Sequence, residues 1–111
     1  MRGKIGECSL WLAKDPGKRI EIRAYQQDIY ELRFVSNNEV HGCIEISQEN
    51  FRAVLHNYLH FKLDGVALSY EGRYVIVRIH GHRWGLVPDV DLMKLENKAL
   101  AGEFDSFDSM A

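Results

Sequence analysis

Residues 73–80, RYVIVRIH, set Val75, Val77 and Ile79 on one side of an extended chain and Tyr74, Ile76, Arg78 and His80 on the other. Side chains alternate across a strand with a period of two, so this run demands a sheet with one face buried and one open. The same pattern recurs at Ile20, Ile22 and Ala24 and at Tyr30, Leu32 and Phe34, each interleaved with charged residues. A chain written this way folds by stacking half-buried strands against something apolar.

Two segments supply that cover. Ser47 is a good N-cap, and Ile46 and Phe51 stand at the spacing of a hydrophobic staple. Phe51, Val54, Leu55, Tyr58 and Leu59 then form the stripe of an amphipathic helix. Pro88 ends the last strand of the alternating series, Asp89 caps a second helix over about residues 90–101, and Gly102 closes it. Its buried stripe is Leu92, Leu95 and Ala99, flanked by Met93 and Leu100.

Turn residues place the hairpins. In Asp15-Pro16-Gly17-Lys18 proline presets φ and glycine takes the positive φ of a type II turn. Residues 1–6 carry no pattern and are read as loose, with the first strand over residues 8–13. A loop over residues 35–39 pairs Phe34 with Val40 and Tyr30 with Ile44, which keeps one apolar face continuous. Glu71-Gly72 turns the next hairpin, pairing Leu68 with Val75 and Val66 with Val77. Gly81 marks a bend or bulge before a short strand over residues 82–87. The expected fold is α+β, antiparallel sheet in the order ββββα-βββα with helices on one face, as a single domain over residues 1–102.

At 111 residues, 46% apolar and 27% charged, the chain is long enough for one core. Its formal charge of −2 is unevenly spread. Residues 1–86 carry twelve basic and ten acidic groups, residues 87–111 two basic and six acidic. Residues 103–111 are read as an acidic-aromatic tail or a helix extension, with Phe104 and Phe107 as anchors. No run reaches the roughly 20 apolar residues that span a bilayer and no signal-peptide h-region opens the chain. A cytoplasmic protein with Cys8 and Cys43 reduced in the core, and no membrane partner, is expected.

Chemistry-bearing motifs are few. His56 with His60 and His80 with His82 have the spacings that put two imidazoles on one helix face and one strand face. No carboxylate joins either pair in a metal motif, so no metal and no cofactor is assigned. No GxSxG elbow and no phosphate-cradling glycine loop is present, neither cysteine has an activating neighbour, and no catalytic residue is named.

Binding is the better reading. The proposed surface is Tyr74, Arg78, His80, Arg83 and Trp84, with Phe104 and Phe107. It implies a non-enzymatic, homo-oligomeric module working through protein contacts. The alternative is a single-stranded nucleic-acid binder whose acidic tail competes for its own basic face, because Arg73, Tyr74, Arg78, His80, Arg83 and Trp84, and again Arg19, Arg23 and Tyr25, interleave cations with rings. Four strands followed by a helix resembles, in topology, the unit of Whirly and purine-rich-element-binding proteins. A metal- or small-ligand-dependent enzyme is the third class.

Overall fold

The alternating runs become strands with the faces the sequence assigns. The computed structural model describes residues 3–109. In chain order the elements are β1 (Lys4–Trp11), β2 (Lys18–Tyr25), β3 (Ile29–Ser36), β4 (Glu39–Ser47), α1 (Gln48–Leu55), β5 (Phe61–Leu63), β6 (Val66–Glu71), β7 (Tyr74–Ile79), β8 (His82–Pro88), α2 (Asp89–Leu100) and β9 (Phe104–Asp108). The fold is α+β, and the expected ββββα-βββα order is present with two further short strands, β5 and β9. Each half is therefore a four-stranded meander followed by a helix.

The strands form two sheets, β4-β3-β2-β1-β9 and β5-β6-β7-β8. All pairs are antiparallel except β1 with β9. The helices cross between halves: α2 lies on β1 and β2, while α1 touches both β4 and β6. One core joins the inner faces of both sheets and both helices, with Leu10, Ile22, Leu32, Ile44, Phe51, Val77 and Leu95 among its members. Burying each such side chain contributes about 1.5–3 kcal/mol.

Several local expectations are corrected. Residues 4–6 are strand, and Gly6 lies so close under α2 that a Cβ there would stand 2.2 Å from the Ala99 carbonyl. The β3–β4 loop is a two-residue Asn37-Asn38 turn, both at positive φ. Val35 then faces Val40, but Phe34 faces Gly42, so His41 is an extra residue that shifts the register. Leu32 thereby meets Ile44 and Tyr30 meets Ile46. A tight turn and a continuous apolar face coexist because the bulge reconciles them.

The β6–β7 turn is Gly72-Arg73, with Leu68 opposite Val77 and Val66 opposite Ile79. That is two residues from the expected register, which leaves every face unchanged. Gly72, at φ 66°, stands first in the two-residue loop, where a type II′ turn requires glycine.

Both helices end on left-handed residues. Asn57 (φ 60°) closes α1, with Tyr58 N–H donating to the Ala53 carbonyl, and Gly102 (φ 78°) closes α2, with Glu103 N–H donating to that of Lys98. These are Schellman closures. The first one turns Tyr58 out of the expected stripe to 86% exposure. Ser47 caps α1 by accepting from the Asn50 N–H at 3.1 Å. Asp89 does not cap α2: Pro88 holds that position, and the Asp89 carboxylate accepts from the Tyr70 hydroxyl.

Beyond Gly102 the chain does not continue as helix. It forms β9, parallel to β1, with Phe107 packed on the core beside Leu10. Among the described residues no helix is long and apolar enough to cross a membrane.

Candidate binding face and recess

The two sheets differ in what their uncovered faces carry. On the five-stranded sheet the cations are consumed by carboxylates. Arg23 contacts Glu7 at 3.1 Å and Glu31 at 3.3 Å, while Glu21 is shared by Arg19 and Arg33. Arg19 also covers the Trp11 ring. The Arg19, Arg23 and Tyr25 mixture is thus a neutral ladder.

The four-stranded sheet is the opposite case. Lys62 faces Ala67, Ala67 faces Arg78 and Arg78 faces Arg83, so three cations share one row across four strands. Among the described residues none of the three makes an ion pair, and neither does Arg73 in the adjoining turn. Like charges directly opposite each other destabilise a sheet. Tyr74 and Leu86, each about two-fifths exposed, stand on the same face, and Ile76 between Ser69 and Leu86 is only 6% exposed.

Of the sequence-predicted residues, Tyr74, Arg78 and Arg83 meet on this face, and His80 lies in the turn at its end. Trp84 does not join them. The β7–β8 register shifts between Val77 and Arg78, leaving Trp84 as the extra residue, and its ring turns inward to meet Phe34 edge-on at 5.5 Å. Lys18 lies over that ring and donates to the Trp84 carbonyl at 2.6 Å, while Trp84 Nε1 is buried with no hydrogen-bond partner among the described residues. Phe104 and Phe107 belong to the far sheet, at its β9 edge. Phe104 is 66% exposed with Lys4 near its ring, and Lys94 covers Phe107.

The inward turn of Trp84 leaves a recess of about 380 Å³, lined by Lys18, Ser36, His41, Ile79, His80, His82, Arg83 and Trp84. His41 reaches it only because it is the bulged residue of β4. His80 and Gly81 form a two-residue turn, both at positive φ, in place of the expected bend. The His80 ring is seated on Gly65, where a Cβ would stand 2.7 Å from it, and the His80 N–H donates to the Gly65 carbonyl.

His56 and His60 do not share a helix face, because α1 ends at Leu55. His60 Nδ1 instead pairs with the Ser69 hydroxyl at 2.7 Å. Among the described residues no three His, Cys, Asp or Glu side chains converge as a metal site. Cys8 is buried and Cys43 is exposed, not in the core, and neither is bonded to the other. Burial raises both thiols above the ordinary range, and Glu31 adds to the effect at Cys43. Neither is tuned as a nucleophile.

Sequence reasoning missed two buried carboxylates on α2. Glu96 accepts from the Tyr30 hydroxyl at 2.5 Å and from Arg52 at 3.0 Å; Asp91 accepts from the Ser109 hydroxyl. Comparison with protein-family models, curated proteins and solved structures finds no match to the chain.

Proposed function

We propose that this chain is a single-stranded nucleic-acid-binding module that uses the open face of the four-stranded sheet. The observation behind this reading is the row Lys62, Arg78 and Arg83. Arg78 and Arg83 face each other on an uncovered sheet face, Lys62 lies in the same row beyond Ala67, and none of the three has a carboxylate partner among the described residues, so the Arg78–Arg83 pair is electrostatically costly to the fold on its own. Phosphates tracked across the strands, about 4.8 Å apart, offset that repulsion. Tyr74 provides a ring for stacking, and the guanidinium planes of Arg73, Arg78 and Arg83 provide others. Each half of the chain is a ββββα unit, which is also the topology that resembles the Whirly and purine-rich-element-binding unit.

The acidic tail has no inhibitory part in this proposal. Its strand sits on β1, and Glu103 and Asp105 are held by Lys98 at 3.1 and 3.5 Å. A reducing, cytoplasmic setting suits two unbonded cysteines.

The second reading is the protein-contact module with self-association. It is favoured by Tyr74 lying among Arg73, Arg78 and Arg83, residue types enriched in interface hot spots, beside the partly exposed Leu86. Titration of a labelled oligothymidine at several salt concentrations separates the two. Three or four phosphate contacts give a slope of log K against log salt of about −2 to −3. Arg78→Gln with Arg83→Gln should flatten it by about 1.4. No binding at low salt, or an unchanged slope in the variant, overturns the proposal and leaves protein contact as the reading to pursue by sedimentation.

A further inference from the structure

We infer that the recess beside the β7–β8 turn is a binding site for a phosphate with at least three free oxygens, a terminal monoester or inorganic phosphate. Its polar wall is Lys18, Ser36, His41, His80, His82 and Arg83, contributed by β2, β3, β4, the turn and β8. Among the described residues no carboxylate lines it. The other polar recesses differ in that respect. One mixes Arg23 with Glu7, Glu21 and Asp105, another is lined by Glu31 and Glu45, and a third, which adjoins this one through Lys18, Arg83 and Trp84, sets Asp15 beside Lys14. Of these four recesses, this one alone surrounds a concave surface with donors and no acceptor charge.

The donors are also held in position before a ligand arrives. A two-residue turn with positive φ at both positions is served best by Asn-Gly, yet the sequence spends the first position, φ 51°, on His80. Histidine tolerates that conformation better than most residues, and here its imidazole is packed over the Gly65 backbone while His80 also lines the recess. Lys18 is anchored on the Trp84 carbonyl, so its ammonium stays at the wall and its charge is not cancelled. His41 owes its place to a bulge, a device that re-aims a side chain.

A monoester fits better than a diester. Donors approach from five segments around one concavity, which suits the three free oxygens of a terminal phosphate. A phosphodiester, with chain on both sides, suits the open row of Lys62 and Arg78 instead. The phosphate is either the phosphorylated end of a nucleic-acid strand, which rests on the function proposed above, or free inorganic phosphate, which does not.

Two arms distinguish these sources. In the first, isotope-labelled protein is titrated with inorganic phosphate and, at matched ionic strength, with sodium chloride. In the second, a 5′-phosphorylated oligothymidine is compared with its 5′-hydroxyl twin. Saturable amide shifts at His41, His80 and His82 with phosphate alone support the site with a free-phosphate source. A gap of about tenfold in favour of the phosphorylated strand supports it with a strand end as source. His41→Gln with His82→Gln should close that gap, whereas Lys62→Gln should weaken both strands equally. Should either variant fail to melt cooperatively, the two wild-type arms decide. Absence of both the shifts and the gap overturns the inference. If phosphate binds but neither strand does, the proposed function fails and the site stands.

Discussion

Glu96 is a buried anchor of the fold that its sequence pattern hides. It reads as one more charged position on an exposed helical face, yet it is 5% exposed and accepts from both Tyr30 and Arg52. Gln48 completes the group by donating to the Tyr30 hydroxyl. The hydroxyl is held protonated far above the usual phenol range, first by burial and then by its bond to Glu96. A raised folded-state value means the stability is fully present below the unfolded value, near 10, and is lost as pH climbs beyond it. Stability should therefore fall above pH 10 by about 1.4 kcal/mol per pH unit on account of this group. Lys98 and Tyr70 are shifted the same way, so the informative quantity is a difference. Denaturant melts of Tyr30→Phe across that range should fall less steeply than wild type. At neutral pH the same variant should be weaker by about 2–3 kcal/mol, because a buried carboxylate keeps only Arg52. Equal slopes would place the ionisation elsewhere. No periodicity could have announced this cluster, since Tyr30, Gln48, Arg52 and Glu96 meet only through the crossing of helices between halves.

At the scale of elements, strand faces were legible and strand offsets were not. Ile20, Ile22, Tyr30, Leu32, Phe34, Val75 and Val77 are all buried as their alternation requires. A bulge adds one residue without changing composition, so neither His41 nor Trp84 could be recognised as the extra one. The consequence for the candidate site is large: one bulge turned Trp84 from a surface ring into core, and the other delivered His41 to the recess. Both bulges lie near the point where β4 crosses β6. Gly42 marks that crossing, with an added Cβ only 2.8 Å from Val66 Cγ2 and 3.4 Å from Ile79 Cδ1. Neither neighbour has room to retreat, since both belong to the shared core. Gly42→Ala should therefore cost about 1–3 kcal/mol in denaturant unfolding, the range for overpacking. A neutral result would show that the sheets separate easily there, and the recess they enclose would lose its claim to rigidity.

For the whole molecule, the question is whether residues 3–102 form a complete domain. Two ββββα halves, each helix reaching across to the other half, already account for nearly all of the core. The strand β9 lies outside that scheme. It was illegible because Phe104 and Phe107 stand three apart, a helical spacing, and because a parallel partner leaves no hairpin signal. Its attachments are nevertheless several. Phe107 packs beside Leu10, Lys98 holds Glu103 and Asp105, and the Ser109 N–H donates to the Trp11 carbonyl. The Ser109 hydroxyl also donates to the buried Asp91. Removing residues 103–111 should leave one cooperative transition, weaker by about 2–4 kcal/mol from lost apolar burial and lost hydrogen bonds. It should also expose β1 as an unpaired edge, the template on which a second copy pairs. Sedimentation of the shortened chain should then reveal association that the full chain lacks, while oligonucleotide affinity stays within about twofold, because the Lys62, Arg78 and Arg83 row lies on the other sheet. Loss of the cooperative transition would make β9 part of the domain proper. A large gain in affinity would return the acidic tail to an inhibitory role.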